Sequence, residues 1–481
     1  MSEARGTMRD ALARLLAVLE AGLVERGEAL RLSLLAALAG EHTLLIGPPG
    51  TAKSALARRI HLAFAGAQYF ERLLTRFTVP EELFGPLSIR GLEQDRYERH
   101  TAGFLPEASI AFIDEVFKAN SAILNALLTL LNEREFDNGA GRVHCPLISV
   151  LGATNTVPED EVAEAFFDRF LLRLVVEPVT AGGFGALLGE DRVGEEPWPN
   201  VPAALRLGEA ERSALSRAAV ATPLSPAVLA RLAELRAWLV EHGRYVSDRR
   251  WVKIAHLLRT AAASEGRDRV VEWDLALLPS CVAFDAASRR TVADWLAARL
   301  GVREASSPPR VARVVEAFEA QLKAEREAND LDYDASGRLR FSATVHAAEL
   351  AGEMSRQLAE EIGDAKGGAA ALRMTYARKR RYGALHVAAR TGQIDALIGR
   401  IARYRAELDE RCSELEDWAA QSLWGDPGFV AASRAQLAAV REALEGLEAR
   451  ARATRLGFES LPRLDTDGVA PAPVEHLPLA E

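Results

Sequence analysis

Two hydrophobic patterns alternate along the first 180 residues of the chain. Short apolar runs, typical of buried strands, alternate with stretches in which apolar positions recur every three or four residues, as in amphipathic helices. The clearest strands are predicted at 44–46, 110–113, 147–151 and 171–176, and two amphipathic helices are predicted within 8–39. This alternation predicts an α/β fold, in which a parallel sheet has helices on both faces.

The strand pattern ends near residue 185, so residues 1–185 are predicted to form one α/β domain. Residues 181–202 are rich in glycine and proline and predict a connector. Residues 186–305 then predict an all-α lid domain, because only the helical period remains.

Residues 306–465 predict a C-terminal elongated helical bundle, because apolar residues three and four apart form stripes along three helices. The stripes are Val311, Val314, Phe318 and Leu322; Ile394, Leu397, Ile401, Tyr404, Leu408, Leu415 and Trp418; and Val430, Leu437, Val440, Leu444 and Leu447. Asp426-Pro427 predicts the start of the last helix. Residues 331–390 are a poorly defined insertion with one short candidate hairpin, at 331–333 and 339–341, and residues 466–481 predict a disordered tail.

A turn separates the strand Leu44–Ile46 from the predicted helix Ala55–Ile60. It consists of Gly47, Pro48, Pro49, Gly50, Thr51, Ala52, Lys53 and Ser54. Backbone N–H groups in such a turn, together with the positive end of the following helix, bind phosphate. Lys53 is placed to reach the β- and γ-phosphates, and the hydroxyl of Ser54 to ligate Mg²⁺. The segment therefore predicts a P-loop for a nucleoside triphosphate, with Ala52 where a second glycine is usual.

Two carboxylates, Asp114 and Glu115, follow the predicted strand 110–113. Asp114 is placed to hold Mg²⁺ through water and Glu115 to polarise an attacking water molecule. An Asp-Glu pair at a strand end is a weak signal by itself, but about 60 residues after a P-loop it is specific. Asn155 follows the next predicted strand, where its amide is expected to bind the γ-phosphate or position the water, a turn asparagine being the alternative.

Two arginines are candidate phosphate ligands from outside the P-loop. Arg169 precedes the fifth predicted strand and is placed to reach the γ-phosphate of a neighbouring subunit, with an ordinary surface salt bridge as the alternative. Arg249, in the helical region, is predicted to contact phosphate from the lid side, and Arg250 is its substitute.

Composition narrows the class of protein. A chain of 481 residues is expected to form about two to four domains. Its net charge of −9 gives no general basic field, so nucleic acid is not an expected partner. The three cysteines are widely spaced and fit a reducing compartment. No signal peptide and no apolar run near the ~20 residues of a membrane span are found, so a cytoplasmic location is predicted.

The motifs, in this order, resemble those of AAA+ ATPases. By that resemblance 47–54 is the Walker A motif, 110–115 Walker B, Asn155 sensor 1, Arg169 the arginine finger and Arg249 sensor 2. Residues 75–87, 103–108, 123–128 and 132–136 are similar to the MoxR family, and 245–251 to its RavA branch. The resemblance covers roughly residues 8–300 and is partial beyond them, at 414–418 and 425–427.

The resemblance implies an ATP- and Mg²⁺-dependent ATPase that forms a homohexamer and remodels or matures protein complexes, with a von Willebrand factor A-domain protein as partner. Residues 81–108 would be the insertion in helix 2 that faces the ring pore, where Arg96, Tyr97 and Phe104 either touch a partner or pack. No strand set like the RavA insertion that binds a decarboxylase is found in 331–390, so that partner is not carried over.

Three alternatives stay open at this point. A nucleotide-gated scaffold with slow turnover would use the long tail to recruit a partner. A rubisco-activase-like motor would follow the CbbQ relatives, although those lack so long a helical tail. DNA remodelling is disfavoured by the acidic charge.

Overall fold

The structure, a computed structural model, describes residues 2–139, 141–155, 165–189, 198–303, 306–331 and 377–476. The chain divides into two compact units. Unit one comprises the described residues of 1–301 and 412–436, and unit two those of 302–411 and 437–481. None of the helices in these described ranges is long and apolar enough to cross a membrane.

A five-stranded sheet forms the core of unit one. Its strands are β1 (His42–Ile46), β2 (Tyr69–Leu73), β3 (Ile110–Asp114), β6 (Ser149–Thr154) and β7 (Phe170–Val175), in the spatial order β2-β3-β6-β1-β7. All four pairings are parallel, which confirms the predicted α/β fold. Because β3, β6 and β1 are neighbours, the segments that follow them meet at one edge of the sheet, where folds of this kind bind ligands.

Helices make up most of the remainder of unit one. They are α1 (Ser2–Glu20), α2 (Gly27–Leu38), α3 (Lys53–Leu62), α4 (Pro80–Phe84), α5 (Ile89–Leu92), α6 (Ser121–Glu133), α7 (Ala181–Leu188), α8 (Glu209–Ala221), α9 (Pro226–Glu241), α10 (Asp248–Ser264), α11 (Leu278–Val282) and α12 (Ala286–Ala297). A small antiparallel hairpin, β4 (Glu135–Asn138) and β5 (Gly141–His144), stands apart from the main sheet. The predicted all-α lid is confirmed, since α8 to α12 follow one another without a strand in the described part of 198–297.

The predicted connector at 181–202 differs from the structure in its first part. Helix α7 occupies Ala181–Leu188, and the hydroxyl of Thr180 accepts a hydrogen bond from the amide of Gly183. A threonine N-cap satisfies an amide that would otherwise lack a partner, and so a helix begins here despite its glycines.

The segment 81–108, predicted as the insertion in helix 2, contains the short helix α5 and one isolated β-bridge, and its assignment as that insertion stays a prediction. Leu87 pairs antiparallel with Arg99 across it. Tyr97 is 58% exposed, whereas Phe104 packs against the core of the sheet. Phe104 is therefore a packing residue, whereas the exposed ring of Tyr97 is accessible to a partner.

Unit two is built mainly from long helices. α13 (Pro308–Glu327), α14 (Ala384–Gln421) and α15 (Pro427–Glu459) coincide with the three predicted stripes, although α14 and α15 reach into the 412–436 segment of unit one. Every stripe residue is at most 8% exposed, which confirms the helical C-terminal region. The amide of Gly428 donates to the carboxylate of Asp426, as expected for a helix that begins at Pro427.

The predicted hairpin at 331–341 and the predicted tail at 466–481 both lie partly within the described residues. Strand β8 (Asn329–Leu331) pairs with β9 (Ala377–Lys379), and the second arm of the predicted hairpin, 339–341, lies outside the described residues. The disordered tail predicted for 466–481 stays a prediction, although in its described part Arg390 donates to the carbonyl of Ala472 at 2.7 Å and the amide of Val474 donates to Gln393 at 3.3 Å.

Candidate active site

The loop between β1 and α3 has the geometry of an anion site. Gly50 and Ala52 adopt left-handed backbone angles, with φ of 81° and 65°, and they turn the chain from the strand into the helix. α3 begins at Lys53, and no side chain caps its first turn. By contrast, Asn120 caps α6 and Ser247 caps α10. The first amides of α3 therefore remain available to a phosphate.

Two contacts hold this loop against its neighbours. A Cβ atom on Gly47 would lie 2.2 Å from the carbonyl oxygen of Val176, so only glycine fits beside the end of β7. Arg26 donates through Nε to the carbonyl of Thr51 at 3.0 Å and through Nη2 to that of Glu177 at 2.7 Å. Arg26 was not predicted, because an arginine that binds only backbone carbonyls leaves no motif in a sequence.

Lys53 lies inside the loop. Its Nζ donates to the carbonyls of Gly47 at 2.7 Å and Pro48 at 2.9 Å. Burial lowers the pKa of Lys53 below its usual value, while the carboxylates of Asp114 and Glu115 act in the opposite direction. The structure thus brings the lysine and both predicted carboxylates into one electrostatic environment.

Glu115 and Asn155 are in direct contact. The amide Nδ2 of Asn155 donates to Oε1 of Glu115 at 2.5 Å, and Nζ of Lys118 lies 3.3 Å from the same oxygen. Glu115 has a left-handed backbone with φ of 51°, and its amide donates to Oδ1 of Asp114. A non-glycine residue in this conformation stores strain, which is common at functional sites. The carboxylate of Glu115 is therefore held at the carboxyl edge of the sheet.

The oxygen donors at this edge suit a magnesium ion. Ser54 is the second residue of α3, and Asp114 is the last residue of β3. Within the described ranges, no group of three or more His, Cys, Asp or Glu side chains could hold a metal ion. Mg²⁺ commonly takes one or two protein oxygens together with substrate phosphates and water, so a hydroxyl and a carboxylate fit it.

Arg169 lies at the opposite edge of the sheet from the P-loop. Phe170, the residue after it, pairs with His42 at the start of β1, whereas the P-loop follows Ile46 at the end of β1. At a rise of about 3.3 Å per residue, the length of β1 places these edges about 13 Å apart. Arg169 therefore lies at the amino edge of the sheet, away from the P-loop of its own chain.

One carboxylate, Asp168, gathers four guanidinium groups at this amino edge. Its distances to the guanidinium nitrogens are 3.8 Å for Arg169, 3.8 Å for Arg173, 3.6 Å for Arg249 and 3.3 Å for Arg250. Burial and the neighbouring guanidinium of Arg249 lower the pKa of Arg169, and Asp168 raises it. Nε of Arg169 is buried without a hydrogen-bond partner in the described structure.

The structure separates the two lid arginines. Arg250 is buried and donates to four backbone carbonyls, those of Asp168, Phe170, Leu171 and Cys281. It is therefore a structural residue, and its prediction as a substitute phosphate ligand does not fit. Arg249 has a side chain 52% exposed and is placed beside Arg169. The lid arginine thus lies at the amino edge and not over the P-loop of its own chain.

Comparison with known proteins agrees with this geometry. Residues 10–198 match the MoxR domain of the MoxR-vWA-beta-propeller ternary systems, and residues 227–296 match an AAA lid domain. Two uncharacterized proteins of Methanocaldococcus jannaschii are each 41% identical to this chain over 256 residues. The matches cover 53% of this chain and 65% and 66% of the two relatives, slightly less than two thirds of their length.

Two further likenesses are more distant. A structural protein of Acidianus two-tailed virus is 29% identical over 178 residues, which is 36% of this chain and 29% of the viral protein. A crystal structure of a candidate ATPase from Cytophaga hutchinsonii superposes with a TM-score of 0.49 and 16% identity, covering 60% of this chain and 92% of that protein.

Proposed function

We propose that residues 10–198 and 227–296, which match a MoxR domain and an AAA lid domain, form an AAA+ ATPase module of the MoxR type that hydrolyses ATP with Mg²⁺ at the carboxyl edge of the sheet. One observation carries the proposal. The uncapped P-loop helix, the carboxylates of Asp114 and Glu115, and the amide of Asn155 converge at the ends of the adjacent strands β1, β3 and β6.

The residues have separate tasks in this proposal. The amides of α3 and the ammonium of Lys53 bind the β- and γ-phosphates, and Ser54 and Asp114 would hold Mg²⁺, which neutralises phosphate charge. Glu115 accepts a hydrogen bond from the water whose oxygen attacks the γ-phosphorus, as the bond to the ADP oxygen breaks. Asn155 fixes the direction of the Glu115 carboxylate through the 2.5 Å hydrogen bond.

The proposed assembly is head to tail, because the two edges of the sheet carry different parts of the site. The carboxyl edge has the P-loop but not the arginines, and the amino edge has Arg169 and Arg249 but not the P-loop. Head-to-tail contact between subunits would place both arginines at the neighbour's γ-phosphate. A heterologous contact of this kind forms a ring when the rotation between subunits closes, and the proposed state is the closed hexamer of the family.

The proposed role is remodelling or maturation of protein complexes, as a chaperone-like factor with a von Willebrand factor A-domain partner. The support is the family description itself, which names ternary systems with vWA proteins. The RavA-like branch stays a prediction. Co-elution of the purified chain with the vWA protein of its own system, changed by ATP, tests the partnership; elution as separate species in both nucleotide states would contradict it.

A nucleotide-gated scaffold with slow turnover is the second candidate. It is favoured by the contact of Lys118 with Glu115, because an ion pair on the catalytic carboxylate competes with a bound water. Lys118→Ala separates the two functions. A restrained site should hydrolyse ATP faster in this variant, whereas the rate of an unrestrained motor should stay the same.

ATP hydrolysis by the wild type and by Glu115→Gln tests the primary proposal. We expect Glu115→Gln to bind ATP but to lose Mg²⁺-dependent turnover, because the P-loop remains and the base is gone. Equal rates in the two proteins would refute the assignment of Glu115. A rate per subunit that rises with protein concentration would support shared sites, and a flat rate would contradict them.

A further inference from the structure

The turn between α14 and α15 belongs to the same compact unit as the sheet and the lid. We call residues 412–436 the hairpin tip. Nε1 of Trp424 donates to the hydroxyl of Ser264 at 2.8 Å, and Nε1 of Trp418 donates to Oδ1 of Asp274 at 3.0 Å. Both indoles are buried, at 3% and 8% exposure. The last residue of α10 and a residue in the segment after it thus each accept a hydrogen bond from the hairpin tip.

Buried charge strengthens this contact. The hydroxyl of Ser422 and the amide of Leu423 both donate to Oε1 of Glu265, at 2.8 and 2.7 Å. Arg267 pairs with Glu265 and with Asp274 at 2.6 Å. Buried carboxylates that lost these donors would be left short of hydrogen bonds, which is costly. These buried hydrogen bonds therefore fix the hairpin tip to the lid within unit one.

The hairpin tip also forms one wall of a cavity of about 580 Å³. Asp426 and Phe429 line it from the tip, Arg289 and Arg290 from lid helix α12, and Arg26 from the segment before α2. This volume is within the range of small-molecule sites, about 300–1,000 Å³. Its lining mixes an aromatic ring with charged groups, as expected for a base and a sugar.

The cavity adjoins the P-loop. Arg26, which lines it, donates to the carbonyl of Thr51 in the loop. Val176, which also lines it, donates to the carbonyl of Ile46 and abuts Gly47. A nucleoside joined to phosphates in the P-loop has to extend from the loop, and this cavity is beside it.

We propose that the hairpin tip closes the nucleoside end of the ATP site, so that Phe429 packs against the bound nucleoside and the C-terminal helices respond to nucleotide occupancy. The inference rests on the proposed ATP site. It assigns to the tail a direct contact with nucleotide, in addition to any recruitment of partners. By thermodynamic reciprocity, a tip that tightens nucleotide binding is itself held more firmly when nucleotide is bound.

Calorimetric titration with ADP and with tripolyphosphate tests the contact in the full chain. Tripolyphosphate fills the P-loop but has no nucleoside. We expect Phe429→Ala to weaken ADP binding by about tenfold, in the range for loss of one base–aromatic contact. It should leave tripolyphosphate binding unchanged. Leu456→Ala, an exposed apolar residue of the same helix, is the matched control and should change neither affinity.

Hydrogen exchange gives a second readout that needs no substitution. ADP should slow amide exchange in 412–436, and tripolyphosphate should not. Unchanged ADP affinity in Phe429→Ala together with unchanged exchange at the tip would overturn the inference. Failure of the proposed ATP site would look different. In that case Lys53→Ala would not weaken the binding of either ADP or tripolyphosphate relative to the wild type.

Discussion

Because Glu115 and Arg169 lie at opposite edges of the sheet, two variants that are each inactive should restore activity when they are mixed. Glu115→Gln removes the proposed base at the carboxyl edge, and Arg169→Ala removes the proposed arginine finger at the amino edge. We expect each variant alone to hydrolyse ATP very slowly. For an arginine finger the expected loss is about 10³–10⁵-fold in kcat. This loss corresponds to about 4–7 kcal/mol of transition-state stabilisation.

Mixing the variants should restore activity, because each complete site takes Glu115 from one chain and Arg169 from its neighbour. In a randomly mixed 1:1 assembly, the chance that both positions of a site are wild type is about one half times one half. About a quarter of the wild-type rate per subunit is therefore expected from a closed head-to-tail ring. The assay is steady-state phosphate release from proteins mixed while dissociated and then assembled.

The structure also supplies matched negative mixtures. Asn155 contacts Glu115 in the same chain, so Asn155→Ala mixed with Glu115→Gln should restore nothing. Arg249 lies beside Arg169 on Asp168, so Arg249→Ala mixed with Arg169→Ala should also stay inactive. The four residues thus form two complementation groups, one for each edge of the sheet.

Two results would refute this reasoning. An inactive mixture of Glu115→Gln and Arg169→Ala, in an assembly whose mass shows that both chains are present, would mean that the arginine does not serve a neighbour. Recovery in the Arg249→Ala and Arg169→Ala mixture would mean that these arginines act at different sites.

The other predictions concern stability and metal. His42 is buried, and burial lowers its pKa to about 3. Its Nδ1 accepts a hydrogen bond from the amide of Val150, so the folded chain holds the imidazole neutral. Unfolding therefore takes up a proton below the normal histidine pKa of 6.5. Stability should therefore fall by about 2 kcal/mol between pH 6.5 and 5, and His42→Gln should flatten this part of the denaturation profile; an unchanged slope would contradict it. Gly457→Ala should destabilise by about 1–3 kcal/mol in urea denaturation, because its Cβ would lie 2.3 Å from Leu322, whereas Gly446→Ala, with open space around it, should be neutral or stabilising. Chelation of Mg²⁺ should abolish phosphate release and restoration of Mg²⁺ should recover it, and persistence of the rate in EDTA would argue against the metal.

The sequence predicted the elements that depend on local pattern. Strands and helices of unit one follow from alternating apolar runs, and the stripes of α13 to α15 are buried as expected. The positions of the P-loop, Asp114, Glu115 and Asn155 were predictable because each lies at or just after the end of a strand, and parallel strands bring their carboxyl ends to one edge.

Contacts made through backbone atoms were not predictable in this way. Arg26 holds the P-loop through carbonyl oxygens, which every residue has, so no partner signal exists in the sequence. The same holds for Arg250, which binds backbone carbonyls, whereas its neighbour Arg249 has the same side chain but is half exposed. The docking of Trp424 on Ser264 joins positions 160 residues apart, and neither residue type is diagnostic by itself.

The crowding of guanidinium groups around Asp168 has a consequence for assembly. One carboxylate offsets only one of four positive charges, and so the amino edge carries a surplus of positive charge, with Arg249 as its most exposed group. A neighbour whose P-loop carries a triphosphate offers the missing negative charge, and an empty neighbour does not. Subunit association should therefore depend on nucleotide and weaken steeply with ionic strength, since mobile ions screen exposed charges beyond about 8–10 Å near physiological salt. ATP would then be both the substrate of the enzyme and a ligand that stabilises the contact between subunits.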